Sequence, residues 1–125
     1  MGYENFFERK RKQFEKVKQN ITLLGLLDDN EMSNFYQYMD LFVASSRSDC
    51  FNLAQAESML LKTPVVVTDI PGLRTAVKQT GFGSLFQKNN PQDLAQTIVS
   101  TIKKRKSILK NYARVLDFFD TGKAL

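Results

Sequence analysis

The sequence predicts an α/β fold in which a doubly wound parallel sheet is flanked by helices. Short apolar runs alternate with longer amphipathic segments along the 125 residues, and the run at residues 64–67 reads Pro-Val-Val-Val. Such alternation is typical of parallel sheets. A continuous β-branched run is typical of a central strand covered on both faces. We therefore expect a single domain over residues 1–125.

The N-terminal region predicts a helix followed by a short strand. Large apolar side chains recur at near-helical spacing through residues 3–18, with charged residues between them. This pattern predicts an amphipathic helix whose apolar stripe packs on the sheet. A helix lying on a membrane surface is the alternative. Residues 21–24 are apolar and precede Gly25, which indicates a strand. The stripe comprises Phe6, Phe7, Phe14 and Val17.

The middle of the chain predicts two further helices around a second strand. Two aspartates and an asparagine precede the first of these helices and are candidate N-caps. Proline cannot continue a helix, so the second helix ends before the central strand. The predicted elements are a helix capped within 28–30 that continues to 38, a strand at 41–44, and a helix at 52–61 that ends at Thr63-Pro64.

The C-terminal half predicts three helices and one more strand. An Asn-Asn-Pro sequence begins the longest helix, because asparagine caps helices and proline is favoured at their first position. A turn at 69–72 precedes the first helix of this half. The predicted bounds are 73–79 for that helix, 81–86 for the turn and strand, 91–109 for the long helix capped at 89–90, and 111–119 for the last helix.

Composition limits the chemistry available to the chain. It contains no histidine, which excludes Ser-His-Asp catalysis, Cys-His catalysis and histidine-based zinc sites. The single Cys50 excludes an internal disulfide and fits a reducing compartment. No apolar run is long enough to span a bilayer. We therefore expect a cytoplasmic protein.

Two basic blocks, at residues 9–12 and 103–106, account for much of the net charge of +5. Blocks of this kind attract nucleic acid, anionic lipid or phosphorylated ligands, or form solvated helix faces. Aromatic residues are not interleaved with these lysines and arginines as they are in single-strand binders. We expect no nucleic-acid partner, whereas peripheral contact with a membrane stays open.

The candidate site is an acidic pair, Asp49 and Glu57, placed eight positions apart across a predicted loop-to-helix junction. In α/β folds, ligands bind outside the carboxyl ends of the strands, and helix N-termini bind phosphates. Glu57 lies about 7 Å along the helix axis, where a carboxylate can accept from two ribose hydroxyls. The alternative is that Asp49 caps the helix and Glu57 pairs with Lys62.

The segment around this pair resembles the donor-binding motif of glycosyltransferase family 4, which has the GT-B architecture. The family motif consists of Ser-x-x-Glu-Gly-Phe-Gly, four further residues, Glu-Ala, and later Gly-x-Pro-Val-Val. The resemblance extends from about residue 20 to residue 104 and includes an Asp-Leu-Phe-Val element at 40–43. The matching positions of the motif are Ser46, Asp49, Phe51, Glu57, Pro64, Val65 and Val66.

The resemblance implies the Rossmann-like, nucleotide-sugar-binding half of a retaining glycosyltransferase. Such an enzyme transfers a hexosyl group from a UDP- or GDP-sugar to a saccharide, lipid or other glycoconjugate, as in polysaccharide biosynthesis, and needs no bound metal or further cofactor. By position, Asp49 would touch the donor sugar and Glu57 would hold the ribose. The amides of Phe51, Asn52 and Leu53 would meet the phosphates and sugar.

Departures from the family pattern bear on these roles. Asp49 replaces a glutamate and is shorter by about 1.5 Å, a large error for a positioned hydrogen bond. Cys50 and Asn52 replace glycines, Lys62 replaces the glycine before Thr-Pro, and Thr75 replaces a glutamate. The family's N-terminal acceptor domain and the first strand of the donor domain are absent from the match. We expect a partial donor domain that is inactive alone or needs a partner chain; a non-catalytic remnant or interaction module is the alternative.

Overall fold

Three parallel strands form the sheet in the computed structural model, which describes residues 10–13, 15–46 and 53–120. The strands are β1 (Phe42–Ala44), β2 (Val65–Thr68) and β3 (Gly83–Phe86), in the spatial order β1-β2-β3. Phe42 pairs with Val65, and Val65 pairs with Gly83. Every residue of β2 is buried, which confirms the predicted central strand.

Helices cover both faces of this sheet. They are α1 (Asp29–Tyr38), α2 (Leu53–Leu60), α3 (Pro71–Thr80), α4 (Pro91–Lys103), α5 (Arg105–Leu109) and α6 (Tyr112–Asp120). Helices α2, α3 and α6 contact one another on one face, whereas α4 packs on β2 and β3 from the other. The predicted α/β class, with a parallel sheet between helices, is confirmed.

The core lies between β2, β3 and the α3–α6 pair. It is built from aliphatic and aromatic side chains that are at most 8% exposed. Polar groups within it are paired: the Gln55 amide donates to the Leu73 carbonyl at 3.1 Å, and the Thr68 hydroxyl donates to the Ala44 carbonyl at 3.3 Å. Members of the core include Met59, Val65, Val67, Leu73, Val77, Phe82, Val115 and Phe118.

The predicted strand at residues 21–24 is wrong. These residues have no regular structure, and the sheet formed by the described residues has no neighbour for them. A strand without a neighbour leaves its backbone N–H and C=O groups to water and gains no ladder hydrogen bonds. Leu23 is 84% exposed and Leu26 is 102% exposed, so the segment is apolar in sequence but solvated.

Two helix boundaries also differ from the prediction. Helix α3 begins at Pro71 rather than at residue 73, because proline fits the first helical position and the missing N–H costs nothing there. The long C-terminal helix is divided at Lys104 into α4 and α5. Helix α5 places Ile108 in the core, and its Arg105 donates from Nε to the Asp40 carbonyl at 3.0 Å.

The N-terminal helix is described only in part. Residues 10–13 and 15–17 are helical and exposed, and a 3-10 turn follows at Lys18–Asn20. Val17 is 44% exposed, so it does not pack on the sheet as its stripe predicted. Phe6, Phe7 and Phe14 lie outside the described residues.

Candidate functional site

The carboxyl ends of β1, β2 and β3 meet at one edge of the sheet because all three strands are parallel. Ser46 follows β1 at this edge. The described part of the chain resumes at Leu53, the first residue of α2. Ser46 is partly buried, whereas Leu53 is 68% exposed. Asp49, Phe51 and Asn52 lie outside the described residues. The two described ends thus bracket the position predicted for the donor site.

A cavity of about 290 Å³ opens at this edge, next to Ser46. Its walls come from the ends of all three strands and from the start of α4, and they include the Ser45 and Ser46 residues, Thr68 and Lys88. An ammonium group beside several hydroxyl-bearing residues can bind an anion or a polyol. We did not predict this cavity from the sequence. The Asn-Asn-Pro segment that forms part of its wall was interpreted only as the start of a helix.

The N-terminus of α4 contributes few free amides to that cavity. The Asn90 side chain accepts from the Asp93 amide at 2.9 Å, and the Leu94 amide donates to the Asn90 carbonyl at 3.0 Å. Pro91 has no N–H group to offer. The Asp93 carboxylate in turn accepts from the Gln87 amide at 2.7 Å. The helix end is therefore largely satisfied by its own cap, and Lys88 is the charged feature of this wall.

Glu57 lies in a separate groove of about 500 Å³ between α1 and α2. The groove also contains Asp29, Ser33 and Tyr36, so it combines two carboxylates with two hydroxyl-bearing side chains. Glu57 is exposed and is free to meet a ligand. Of the predicted site residues that the structure describes, Ser46 lines the cavity and Glu57 lines the groove, so the two do not share a pocket.

Helix α2 orients Glu57 outward because its other face is fixed in the fold. Met59 is 0% exposed, and the Ser58 hydroxyl donates to the Thr63 carbonyl at 2.9 Å. Helical geometry then places residue 57 away from these anchors. The outward position of Glu57 follows from the same packing that holds the helix.

Tyr36 is the chemically perturbed group of the groove. Burial raises the pKa of its phenol, and the Glu57 carboxylate raises that pKa further. The ring is 2% exposed and packs edge-on against Phe42 with centroids 5.8 Å apart. The protonated phenol is a hydrogen-bond donor, and Glu57 lines the same groove. Nothing in the sequence indicated that Tyr36 and Glu57 line one groove, because they belong to different helices.

Lys62 occupies the position of a family glycine, and its backbone has a conformation that glycine adopts readily. Its φ is 68°, in the left-handed region that residues other than Gly and Asn rarely adopt. Its ammonium group lies 5.1 Å from the centre of the Tyr112 ring. The turn between α2 and β2 is therefore preserved without the glycine.

Within the ranges 10–13, 15–46 and 53–120, no cluster of three or more His, Cys, Asp or Glu residues is arranged to hold a metal ion. No helix in the same ranges has the length and apolar character needed to cross a membrane.

Comparison with known proteins decides the family. The family profile described as glycosyl transferases group 1 matches residues 2–104. This chain belongs to the group 1 glycosyl transferases. The match includes β1, β2, β3 and all the described residues that line the cavity and the groove. The resemblance found in the sequence is thereby confirmed at the level of the family.

Several group 1 glycosyl transferases and related proteins are similar to this chain. An uncharacterised glycosyltransferase of Methanocaldococcus jannaschii is 34% identical over 101 residues, which are 76% of this chain and 29% of that protein. A mannosylfructose-phosphate synthase of Agrobacterium fabrum is 30% identical over 112 residues, or 82% of this chain and 25% of that protein. The chain therefore spans less than a third of the length of these curated relatives.

A solved structure shares the fold. The sucrose-phosphate synthase of Thermosynechococcus elongatus superposes with a TM-score of 0.78 at 23% identity, covering 91% of this chain and 30% of that one. At this identity the likeness shows the fold alone. It confirms the Rossmann-like α/β arrangement of a GT-B glycosyltransferase half.

Proposed function

We propose that this chain is the nucleotide-sugar-binding portion of a retaining glycosyltransferase, with a UDP- or GDP-sugar as donor and no bound metal or other cofactor. The observation that carries the proposal is the position of Glu57. It is exposed on the helix that follows the carboxyl end of β1, where α/β folds bind ligands. A carboxylate there can accept from both hydroxyls of a ribose.

The other roles follow from the same placement. Asp49 would contact the donor sugar, Ser46 would line the site, and the amides of Phe51, Asn52 and Leu53 would meet the diphosphate. A helix N-terminus carries partial positive charge, which stabilises the nucleoside diphosphate as it leaves. Tyr36 lines the same groove as Glu57, and its hydroxyl would donate a hydrogen bond to a ribose oxygen.

The acceptor would be bound by residues outside this domain. The relatives are much longer than this chain, and we propose that an N-terminal acceptor domain or a partner chain completes the site. The acceptor would be a saccharide, a lipid or another glycoconjugate, as in polysaccharide biosynthesis. We place the reaction in the cytoplasm, with peripheral membrane contact. Residues 1–125 alone would then bind the donor weakly and not turn it over.

Calorimetric titration with UDP- and GDP-sugars tests the ribose assignment. We expect Glu57→Ala to weaken binding about tenfold or more, because two hydrogen bonds to a charged group are lost. Glu57→Gln keeps the shape of the side chain and isolates the contribution of its charge. Asp120→Ala removes an exposed acid of α6 and is the matched control. Equal affinity of Glu57→Ala and wild type would show that Glu57 does not hold the ribose.

A second candidate is a non-catalytic remnant or interaction module with the same fold. The observation that favours it is the separation of Ser46 and Glu57 into different pockets. Affinity capture with wild type and with the Asp49→Ala, Glu57→Ala double variant distinguishes the two functions. Partners retained equally by both proteins, together with no heat of binding for any nucleotide sugar, would favour the interaction module.

A further inference from the structure

A stretch of 23 residues on the C-terminal side of the fold carries charged side chains of positive sign only. Between Leu94 and Leu116 there are six lysines and arginines and no aspartate or glutamate. The ion pairs of Lys18 with Glu15 and of Arg74 with Asp69 both lie outside this stretch. Its exposed lysines are Lys103, Lys104, Lys106 and Lys110.

The same stretch exposes aliphatic side chains on the outer side of α4. Val99 is 53% exposed and Ile102 is 49% exposed, one helical turn apart. The inner side of α4 is held on the sheet, where the Thr101 hydroxyl donates to the Ser84 hydroxyl at 3.0 Å. A shallow groove of about 440 Å³ runs beside Val99 and is bordered by Lys103. Apolar surface and a lysine therefore adjoin on one face.

We propose that this face docks on an anionic phospholipid surface. The docking face is defined by Val99, Ile102, Lys103, Lys104, Lys106 and Lys110. The charge is complementary to acidic headgroups, and lysine stems can lie along apolar surface while their ammonium groups reach the headgroups. Exposed aliphatic residues can enter the boundary between headgroups and acyl chains.

A nucleic-acid partner fits this face less well. The stretch from Leu94 to Leu116 contains one aromatic residue, Tyr112, and its ring packs against Phe82 with centroids 5.8 Å apart rather than being presented to a base. Exposed valine and isoleucine gain nothing from a phosphate backbone, whereas they gain from a lipid surface. The proposal assigns a surface to the peripheral membrane contact proposed above, and it does not depend on the donor-binding assignment.

A single-tryptophan reporter tests the docking face directly, because the chain contains no tryptophan. The variant Val99→Trp is mixed with vesicles of phosphatidylcholine, or of phosphatidylcholine with phosphatidylglycerol. We expect a blue shift and quenching by lipids that carry a quencher in the acyl chain, only when phosphatidylglycerol is present. Leu26→Trp is the control, since Leu26 is exposed but lies outside the docking face.

Flotation with the same vesicles measures the contribution of charge. The triple variant Lys103→Gln, Lys104→Gln, Lys106→Gln should lose about fivefold in partition for each lysine near the surface. The matched control neutralises the other basic block through Lys10→Gln, Arg11→Gln and Lys12→Gln, and should retain most of the binding. Thermal denaturation checks that each variant is folded. Added salt should weaken binding of the wild type.

Three outcomes would overturn the proposal. The first is no flotation of the wild type with anionic vesicles. The second is a larger loss in the residues 10–12 variant than in the residues 103–106 variant. The third is tighter retention on single-stranded DNA than on anionic vesicles, unaffected by Val99→Ser with Ile102→Ser, which would assign the face to nucleic acid.

Discussion

Two regions of this domain use similar apolar residues with opposite results. In the packed region, formed by β2, β3, α3 and α6, the valines of β2 and Phe82 are all 0% exposed. In the edge region, formed by residues 21–41 and β1, Tyr36 is buried but Leu26 is 102% exposed and Val43 of β1 is 39% exposed. The leucines of the edge region are no less apolar than the valines of the core.

Neighbouring strands explain this difference. Strand β2 has a partner on each side, so its backbone groups are paired and helices can cover both faces. Among the described residues, strand β1 pairs with β2 alone, and the Phe42 amide donates to the Pro64 carbonyl at 2.9 Å. In a parallel pair, the backbone N–H and C=O groups of alternate residues point toward and away from the partner strand. Those of Phe42 point toward β2, so those of Val43 point away from it. Burial here depends on available partners more than on local hydrophobicity.

Truncation of Phe82 should separate the two regions most strongly. Phe82→Ala is expected to lower the free energy of unfolding by about 3–5 kcal/mol, because it leaves a cavity in the core. Leu26→Ala should change it by less than about 0.5 kcal/mol, since that side chain is solvated. Urea denaturation followed by circular dichroism measures both. Comparable losses in the two variants would contradict the contrast between the regions.

Glycine substitution gives the next largest contrast. A Cβ at Gly83 would lie 2.2 Å from the Val65 carbonyl oxygen, so Gly83→Ala forces β3 away from β2. We expect a loss of about 2–3 kcal/mol. A Cβ at Gly25 meets nothing within 4 Å, although its φ is 72°. Gly25→Ala should therefore cost only about 1 kcal/mol of local backbone strain, and a global loss as large as that of Gly83→Ala would contradict this account.

Lys62 lies between the regions and tests their connection. A β-branched residue tolerates a positive φ poorly, so Lys62→Val should destabilise the fold by about 1–2 kcal/mol. Lys62→Gly should stay within about 0.5 kcal/mol of wild type, because relief of strain offsets the greater freedom of the unfolded chain. Chemical denaturation of both variants is the measurement. A larger loss in the glycine variant would show that the side chain matters more than the backbone conformation.

Removal of helix caps should show that the edge region opens independently of the packed region. Asp28 accepts from the Glu31 amide at 2.8 Å and its own amide donates to Glu31 at 3.0 Å. Asp28→Ala should cost about 1 kcal/mol in the hydrogen-exchange protection of α1. Asn90→Ala removes a cap in a helix that packs on the sheet, and should lower global stability by a similar amount. Global destabilisation by Asp28→Ala would mean that α1 is integral to the core.

The smallest expected effect is the pH dependence contributed by Tyr36. Its pKa in the folded state is raised above the usual 10.0, first by burial and then by the Glu57 carboxylate. The folded state then binds the proton more tightly than the unfolded chain, so this contribution is present below pH 10 and is lost as pH rises through the folded pKa. Thermal melts above pH 10 should fall less steeply in Tyr36→Phe than in wild type. Equal slopes in Tyr36→Phe and wild type would contradict this contribution.

Much of the fold was predictable because its signals are local. The continuous valines of β2, the Asp28 cap and the Asn-Pro start of α4 each specify an element through nearby residues. The strand predicted at residues 21–24 was wrong because pairing is not local. The division of the C-terminal helix at Lys104 was also missed, since it depends on where Ile108 reaches the core.

The candidate site divides in the same way. The motif around Glu57 was visible in the sequence, and its exposed position on α2 agrees with a ligand-binding role that stays a prediction. The groove beside Tyr36 and the cavity beside Lys88 were not visible, because each joins elements that are distant along the chain.

By itself the sequence determined the family, the buried central strand and the acidic motif, because side-chain type and spacing encode each of them. Only the tertiary structure decided which apolar segments are buried and which polar groups meet. The physical reason is that hydrogen-bond pairing and burial require a neighbour. That neighbour is supplied by the packed fold.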